Sequence, residues 1–155
     1  MKQLPINIRS IRREDYDAWL PLWTGYNAFY GRSGETMLPE SVTAMTWDRF
    51  FNPLEPVYAH VAEVDRKLLG IVHFLYHRST TRIEPVCYLQ DLFTEPSARK
   101  QGLARALINS VQRAALTAGA CRVYWQTHEN NRLARSLYDQ MARHHGFIVY
   151  ALDST

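Results

Sequence analysis

Three apolar runs with short polar breaks constrain the fold most: VYAHVAEV at 57–64, LLGIVHFLYH at 68–77 and VCYLQDLFT at 86–94. The first alternates apolar and polar residues, the pattern of a half-buried strand. Only DRK lies between it and the second, so the pair predicts a β-hairpin. The third follows the loop STTRIEP and is nearly continuous in apolar residues, which suits a central strand. The period then changes. From Gly102 to Gly119, Ala104, Leu107, Ile108, Val111 and Ala115 share one helical face, and Gly119 supplies a stop.

The remaining segments fill in around this frame. INIRSI (6–11) alternates like a strand. RREDYDAWLPLWTGYNAFYG places Trp19, Leu22, Trp23, Tyr26, Phe29 and Tyr30 at helical spacings, and Pro21 either opens that helix in its first turn or kinks it. GRSGE is a break. LPESVTAMTWDRFF reads as a second helix that stops at Asn52-Pro53. CRVYWQT (121–127) predicts a strand, and NNRLARSLYDQMARHH a helix with Asn130 or Asn131 as its N-cap. In that helix Leu133, Leu137 and Met141 form an apolar stripe, with Ala134 and Tyr138 beside it. FIVYAL (147–152) predicts a last strand. The order β, α, α, β, β, β, α, β, α, β describes one α/β domain over 1–155 in which helices cover a mixed sheet.

Composition narrows the function classes. At 155 residues the chain fits one domain, and 46% hydrophobic with 21% charged residues is ordinary for a globular protein. A net charge of +3 favours an anionic ligand slightly but is no dense basic stripe, so nucleic acid is not an expected partner. Cys87 and Cys121 both sit in apolar strand-like runs and read as buried free thiols rather than a disulfide. No Cys/His spacing suggests a metal. No apolar signal region opens the chain, and no run approaches the roughly 18 residues of a membrane span, so a cytoplasmic protein without a membrane partner is expected.

The junction TEPSARKQGLARALI (94–108) is where chemistry first shows. A helix begins at a glycine surrounded by Arg99, Lys100 and Gln101. The first N–H groups of a helix lack intrahelical partners, and the helix dipole adds positive character there, so an anion is stabilised. Gly102 and Ala104 leave the backbone approachable. The stretch is neither a P-loop nor a dinucleotide fingerprint, since GxxxxGK and GxGxxG are both absent. On its own it fits a pyrophosphate cradle or a tight turn with exposed basic residues.

Arg99-Lys100-Gln101-Gly102-Leu103-Ala104 resembles the Arg/Gln-x-x-Gly-x-Gly/Ala motif of the Gcn5-related N-acetyltransferases. The preceding LQDLFTEP resembles that family's central strand, and ENNRLARSLYDQMARHHGF resembles its later signature. Three blocks in the right order, with an element order that agrees over nearly the whole chain, imply its fold: a mixed, mostly antiparallel sheet of six or seven strands flanked by about four helices. The resemblance also implies acetyl-CoA as co-substrate and transfer to a primary amine. Leu92, Phe93 and Thr94 would offer backbone groups to the acetyl and pantetheine parts, on a strand expected to splay from its neighbour. Arg99, Lys100, Gln101, Gly102, Leu103, Ala104 and Arg105 would wrap the pyrophosphate. Asn131 would contact the pantetheine side, Ala134 would keep the helix surface low, and Tyr138 would be the general acid to the leaving thiolate. Ala104 stands where glycine is commoner, a change the motif permits.

A phenol can donate a proton at neutral pH, as that role needs. Glu63, His73, Asp91 and His128 are candidates for the base that takes the amine's proton. Asp91 is attractive because it precedes the acyl-binding segment, and alternation puts it on the face of Phe93, opposite Leu92. It would act through water or bind a cationic amine. Tyr26 and Tyr30, four residues apart, could form a wall for an ammonium ion. GYNAFYG and YLQDLF resemble the branch holding polyamine/diamine and Hpa2-type enzymes, although the neutral Gln90 is not what a polycation site would carry. Neither cysteine is placed as a nucleophile, so direct transfer is expected. The competing expectation is a non-catalytic acyl-CoA sensor of the same fold. The resemblance implies a homodimer as well.

Overall fold

The computed structural model describes residues 5–154. The chain divides into two compact units, Met1–Trp125 and Gln126–Thr155. In the first unit β1 (Asn7–Ser10), β2 (Val57–Val64), β3 (Lys67–His77), β4 (Val86–Thr94) and β5 (Val123–Tyr124) form one sheet in that order. Neighbours are antiparallel except β4 and β5, which are parallel. The same unit holds α1 (Tyr16–Phe29), α2 (Glu40–Arg49) and α3 (Leu103–Thr117), and the second unit holds α4 (Arg132–Met141). The α/β class and the four helices match expectation. The sheet has five strands among the described residues, not six or seven.

The hairpin closes tightly. Val64 pairs with Lys67, so only Asp65 and Arg66 form the turn, both at positive φ (48° and 63°). Two left-handed residues give the turn a twist that matches the strands. Helix α1 runs through Pro21, with a short 3-10 turn over Arg13–Asp15 ahead of it. The proline therefore lies in the second helical turn, past the first-turn position where its missing N–H would go unnoticed.

The sheet is covered on two faces. On one, Trp19, Leu22, Trp23 and Tyr26 of α1 and Trp47 of α2 pack with Ala59, Val61 and Ile71. The Trp23 indole donates to Thr43 Oγ1 at 3.2 Å, which ties α1 to α2. On the other face α3 buries Leu103, Leu107, Ile108, Val111 and Ala115. His60, between Ala59 and Val61, points that way and bonds Ser110 of α3 at 2.9 Å.

A β-bulge decides which face Asp91 meets. Leu89 pairs with Phe74 and Asp91 with His73, so Gln90 is an extra residue on β4. Paired residues share a face and consecutive residues do not. Leu89 thus lies with Phe74 on the α3 side, and the bulge turns Asp91 to the α1 side with His73. Phe93, paired with Ile71, follows Asp91. There it meets Gly25 of α1, where an added Cβ would lie 2.7 Å from the Phe93 ring tip. Gly25→Ala is expected to lose about 1 kcal/mol, as overpacking outweighs the gain in helix propensity. Urea denaturation measures it.

Three expectations need correction. The strand predicted over 121–127 contains only Val123 and Tyr124. The strand predicted over 147–152 is absent: the segment has no ladder, and Phe147, Ile148, Val149, Tyr150 and Leu152 are exposed. Apolar character marks what a segment can bury, but a strand forms only where another strand satisfies its N–H and C=O groups. Cys121 is exposed, although Cys87 is buried, and both are free thiols. Among the described residues no helix is long and apolar enough to cross a membrane.

Candidate functional site

The site is built from the C-terminal end of β4 and the helix start that follows it. Glu95 N–H donates to Leu69 O at 2.8 Å, holding the strand's exit against β3. A 3-10 turn over Pro96–Ala98 follows, with Ala98 buried. Arg99, Lys100, Gln101 and Gly102 are exposed. Lys100 (φ 62°) and Gly102 (φ 87°) are left-handed, and Gly102 is the N-cap of α3. The buried Leu103 side chain anchors the helix on the sheet. Ala106 N–H donates to Gly102 O at 3.0 Å, so the N–H groups of Leu103 and Ala104 precede the first α-helical bond. No atom lies within 4 Å of where a Gly102 Cβ would stand. Ala104 is half-buried and Arg105 exposed in the same first turn. The loop thus presents an open backbone and basic side chains at the positive end of a helix dipole.

The strand beside the loop has an open edge. β5 pairs with β4 only at Cys87–Val123 and Tyr88–Tyr124. Beyond Tyr88, among the described residues, β4 has a ladder partner on its β3 side alone. The segment that carries the half-buried Leu92, Phe93 and Thr94 therefore splays from its parallel neighbour. A strand edge leading into a helix start fits a ligand with an extended amide chain and a pyrophosphate. Acetyl-CoA has both.

On the α1 side of β4 lies a buried polar chain. The Trp19 indole Nε1–H donates to His73 Nε2 at 3.1 Å, and His73 Nδ1 lies 2.9 Å from Asp91 Oδ2. Trp19 is 0% exposed, His73 1% and Asp91 9%. An indole N–H can only donate, so His73 Nε2 is an acceptor and the imidazole proton sits on Nδ1, donated to Asp91. The imidazole thereby spends both nitrogens on partners, and the carboxylate is turned by a fixed donor.

Tyr26 and Tyr30 stand beside this carboxylate, their ring centroids 5.1 Å apart. Burial first, and the Asp91 charge second, push both phenols above their ordinary range, while Arg32 opposes the shift. The Arg32 guanidinium lies 5.8 Å from the Tyr26 centroid and 5.5 Å from that of Tyr30. The tyrosine pair read as a wall for an ammonium ion thus already carries a cation of the protein. Gln90, the bulged residue, is exposed.

The other base candidates are engaged elsewhere. Glu63 accepts from Arg9 at 3.0 Å, and Arg9 also pairs with Asp15 at 2.7 Å, which holds the Asp15 carboxyl below its usual range. His128 Nδ1 accepts from Asn130 N–H at 3.2 Å. In the second unit Asn131 is the N-cap of α4: its side chain accepts from Ala134 N–H at 3.4 Å and donates to Thr127 at 3.1 Å. Ala134 and Tyr138 are half-buried on that helix. Burial pushes the Cys87 thiol up to about 12, away from nucleophilic use. Among the described residues no group of His, Cys, Asp and Glu is arranged to hold a metal ion. Sequence reading missed Arg32, which it left in a glycine-rich break, and the link from Trp19 to His73, which no local pattern announces.

Residues 13–147 match the acetyltransferase (GNAT) family, so the chain belongs to that family and is an acyltransferase that uses acetyl-CoA for N-acetylation. Similar proteins agree. The D-amino-acid N-acetyltransferase HPA3 of Saccharomyces cerevisiae is 31% identical over 147 residues, covering 94% of this chain and 89% of the yeast protein. A ribosomal-protein-alanine N-acetyltransferase from Brucella melitensis superposes with a TM-score of 0.77 at 18% identity, covering 97% of this chain and 100% of that one. An aminoglycoside N-acetyltransferase solved with CoA gives 0.76 at 16% identity, with 99% and 98% covered. The last two show the fold alone.

Proposed function

We propose that the whole chain acts as one domain that transfers an acetyl group directly from acetyl-CoA to a primary amine of a small molecule, a free amino acid in the first place. The observation that carries this reading is the open β4 edge running into the Gly102 helix start. The yeast relative's activity favours an amino acid over a diamine or a protein lysine. Leu92, Phe93 and Thr94 would meet the acetyl and pantetheine parts through backbone groups, and residues 99–105 the pyrophosphate. Asn131 and Ala134 take their roles from the resemblance of their sequence block.

The co-substrate supplies an activated acetyl thioester. The amine nitrogen, once deprotonated, bonds to the acetyl carbon, the carbon–sulfur bond breaks, and the leaving thiolate takes a proton. Tyr138 is assigned that proton because a phenol holds it at neutral pH and its block matches the family signature. Asp91 receives the ammonium form and passes its proton on through water. The reading includes a cytoplasmic homodimer, the dimer being checked by light scattering.

A panel of amino acids, diamines and a lysine peptide, read by free thiol released from acetyl-CoA, tests the proposal. Thiol release with amino acids is expected, and Tyr138→Phe should lower kcat by about a hundredfold while acetyl-CoA affinity stays within a few-fold. Thermal stabilisation by acetyl-CoA with no thiol release on any amine would instead identify a non-catalytic acyl-CoA-binding protein.

A further inference from the structure

We propose that the acceptor site is a two-ended clamp for a free α-amino acid, in which Asp91 takes the ammonium group and Arg32 takes the carboxylate across the Tyr26–Tyr30 pair. This rests on the acetyltransferase reading and adds which side chain reads each end of the acceptor.

The anionic end is built in depth. Trp19 fixes the His73 tautomer, and His73 Nδ1–H holds one oxygen of Asp91 at 2.9 Å. The bulge at Gln90 brings that carboxylate to the α1 side, next to the Tyr26 hydroxyl. The Tyr26 hydroxyl also interacts with this carboxylate, whose two oxygens together offer more acceptor sites than these two donors use. A carboxylate oriented by a buried donor can bind an ammonium ion without reorganising.

The cationic end is equally anchored. Asn27 is 4% exposed, and its amide donates to Trp23 O at 2.9 Å. Its Oδ1 then accepts from Arg32 Nε at 2.7 Å, and Arg32 N–H donates to Asn27 O at 2.9 Å. With Nε committed, the two Nη groups make no hydrogen bond or ion pair among the described residues, while the guanidinium rests against the Tyr26 and Tyr30 rings. The two Nη groups are the fork that binds a carboxylate through two parallel hydrogen bonds.

The spacing and the charges suit one ligand class. The Arg32 guanidinium lies against both tyrosine rings, and among the described residues Asp91 is ion-paired with His73 and not with Arg32. Tyr26 is buried and forms the floor, while Tyr30 is 44% exposed and stands at the rim. One fixed negative and one fixed positive group complement a zwitterion. A diamine would bring a second ammonium toward Arg32, and a lysine side chain in a protein has no carboxylate beside its amine, so both are disfavoured.

The test compares an α-amino acid with its matched decarboxylated amine and its methyl ester, in the wild-type protein, Arg32→Met and Arg32→Lys. Melting curves establish that the variants fold. The wild type should prefer the amino acid over both analogues by about 10–100-fold in kcat/KM. In Arg32→Met that preference should collapse, mainly through KM, and Arg32→Lys should restore part of it. Equal use of amino acid and amine by the wild type, or an unchanged preference in Arg32→Met, would overturn the clamp and leave the acetyltransferase reading standing. If no amine is acetylated, that reading fails, and calorimetric titration of the amino acid alone then decides the clamp. Binding that is lost with the methyl ester and in Arg32→Met supports it, and no binding overturns it.

Discussion

Trp19→Ala is expected to cost about 3–5 kcal/mol of folding stability, enough to bring a marginally stable domain near unfolding. The side chain is fully buried and touches most of the aromatic core. It stacks on Trp23 at 5.7 Å, and Tyr16 of α1 with Trp47 and Phe50 at the end of α2 lie 5.0–6.0 Å away. Truncation would leave a cavity that these rigid rings cannot collapse to fill. It would also strip His73 Nε2 of its donor, so the tautomer that points a proton at Asp91 is no longer enforced. Trp19→Phe separates the two effects, because it keeps a ring but no N–H. It should lose less stability yet still raise the acceptor KM several-fold, with imidazole 15N shifts reporting a mixture of tautomers. Loss of under 1 kcal/mol in Trp19→Ala by urea denaturation would contradict this account of the core.

Gly102→Val should weaken acetyl-CoA binding by about tenfold or more, with only a small effect on stability. The glycine holds φ 87°, where a β-branched side chain is strongly disfavoured, and no neighbour occupies the space. The cost is thus backbone strain, and the exposed loop relieves it by turning the N–H groups of the first turn of α3 away from their present direction. Gly102→Asn is the control, since asparagine tolerates left-handed backbone far better and should retain most of the affinity. Titration calorimetry with acetyl-CoA separates the two. Equal affinity in Gly102→Val and the wild type would show that the geometry of this helix start does not hold the ligand.

Much of the sheet was legible because its strands carry their own boundaries. β2 and β4 run over 57–64 and 86–94, as their apolar runs indicated, since polar breaks bound both. The same logic overreached at 121–127 and 147–152. Apolar patterning reports burial, whereas strand length depends on how far a neighbour follows, and β4 and β5 part after two pairs. The loop at 99–105 could be picked out because glycine and basic residues at a helix start are a local signature. The buried polar chain on the α1 side of β4 could not be assembled that way. His73 and Asp91 appeared as separate candidate bases, 18 residues apart, and the donor that fixes them lies another 54 residues from His73. The bulge that brings Asp91 to this face is a register event, visible only once β3 and β4 are paired. Arg32 follows α1 in a stretch read as a break, and its meaning comes from the buried Asn27 that holds it.

In the proposed reaction this chain moves an acetyl group from acetyl-CoA to the nitrogen of a small amine. The most direct measurement incubates the purified protein with acetyl-CoA labelled with 13C in the acetyl group and an α-amino acid, followed by NMR. The thioester signal should fall and an N-acetyl amide signal rise in equal amount, faster than in a sample without protein. An unchanged thioester signal, or thioester loss that yields only free acetate, would contradict it.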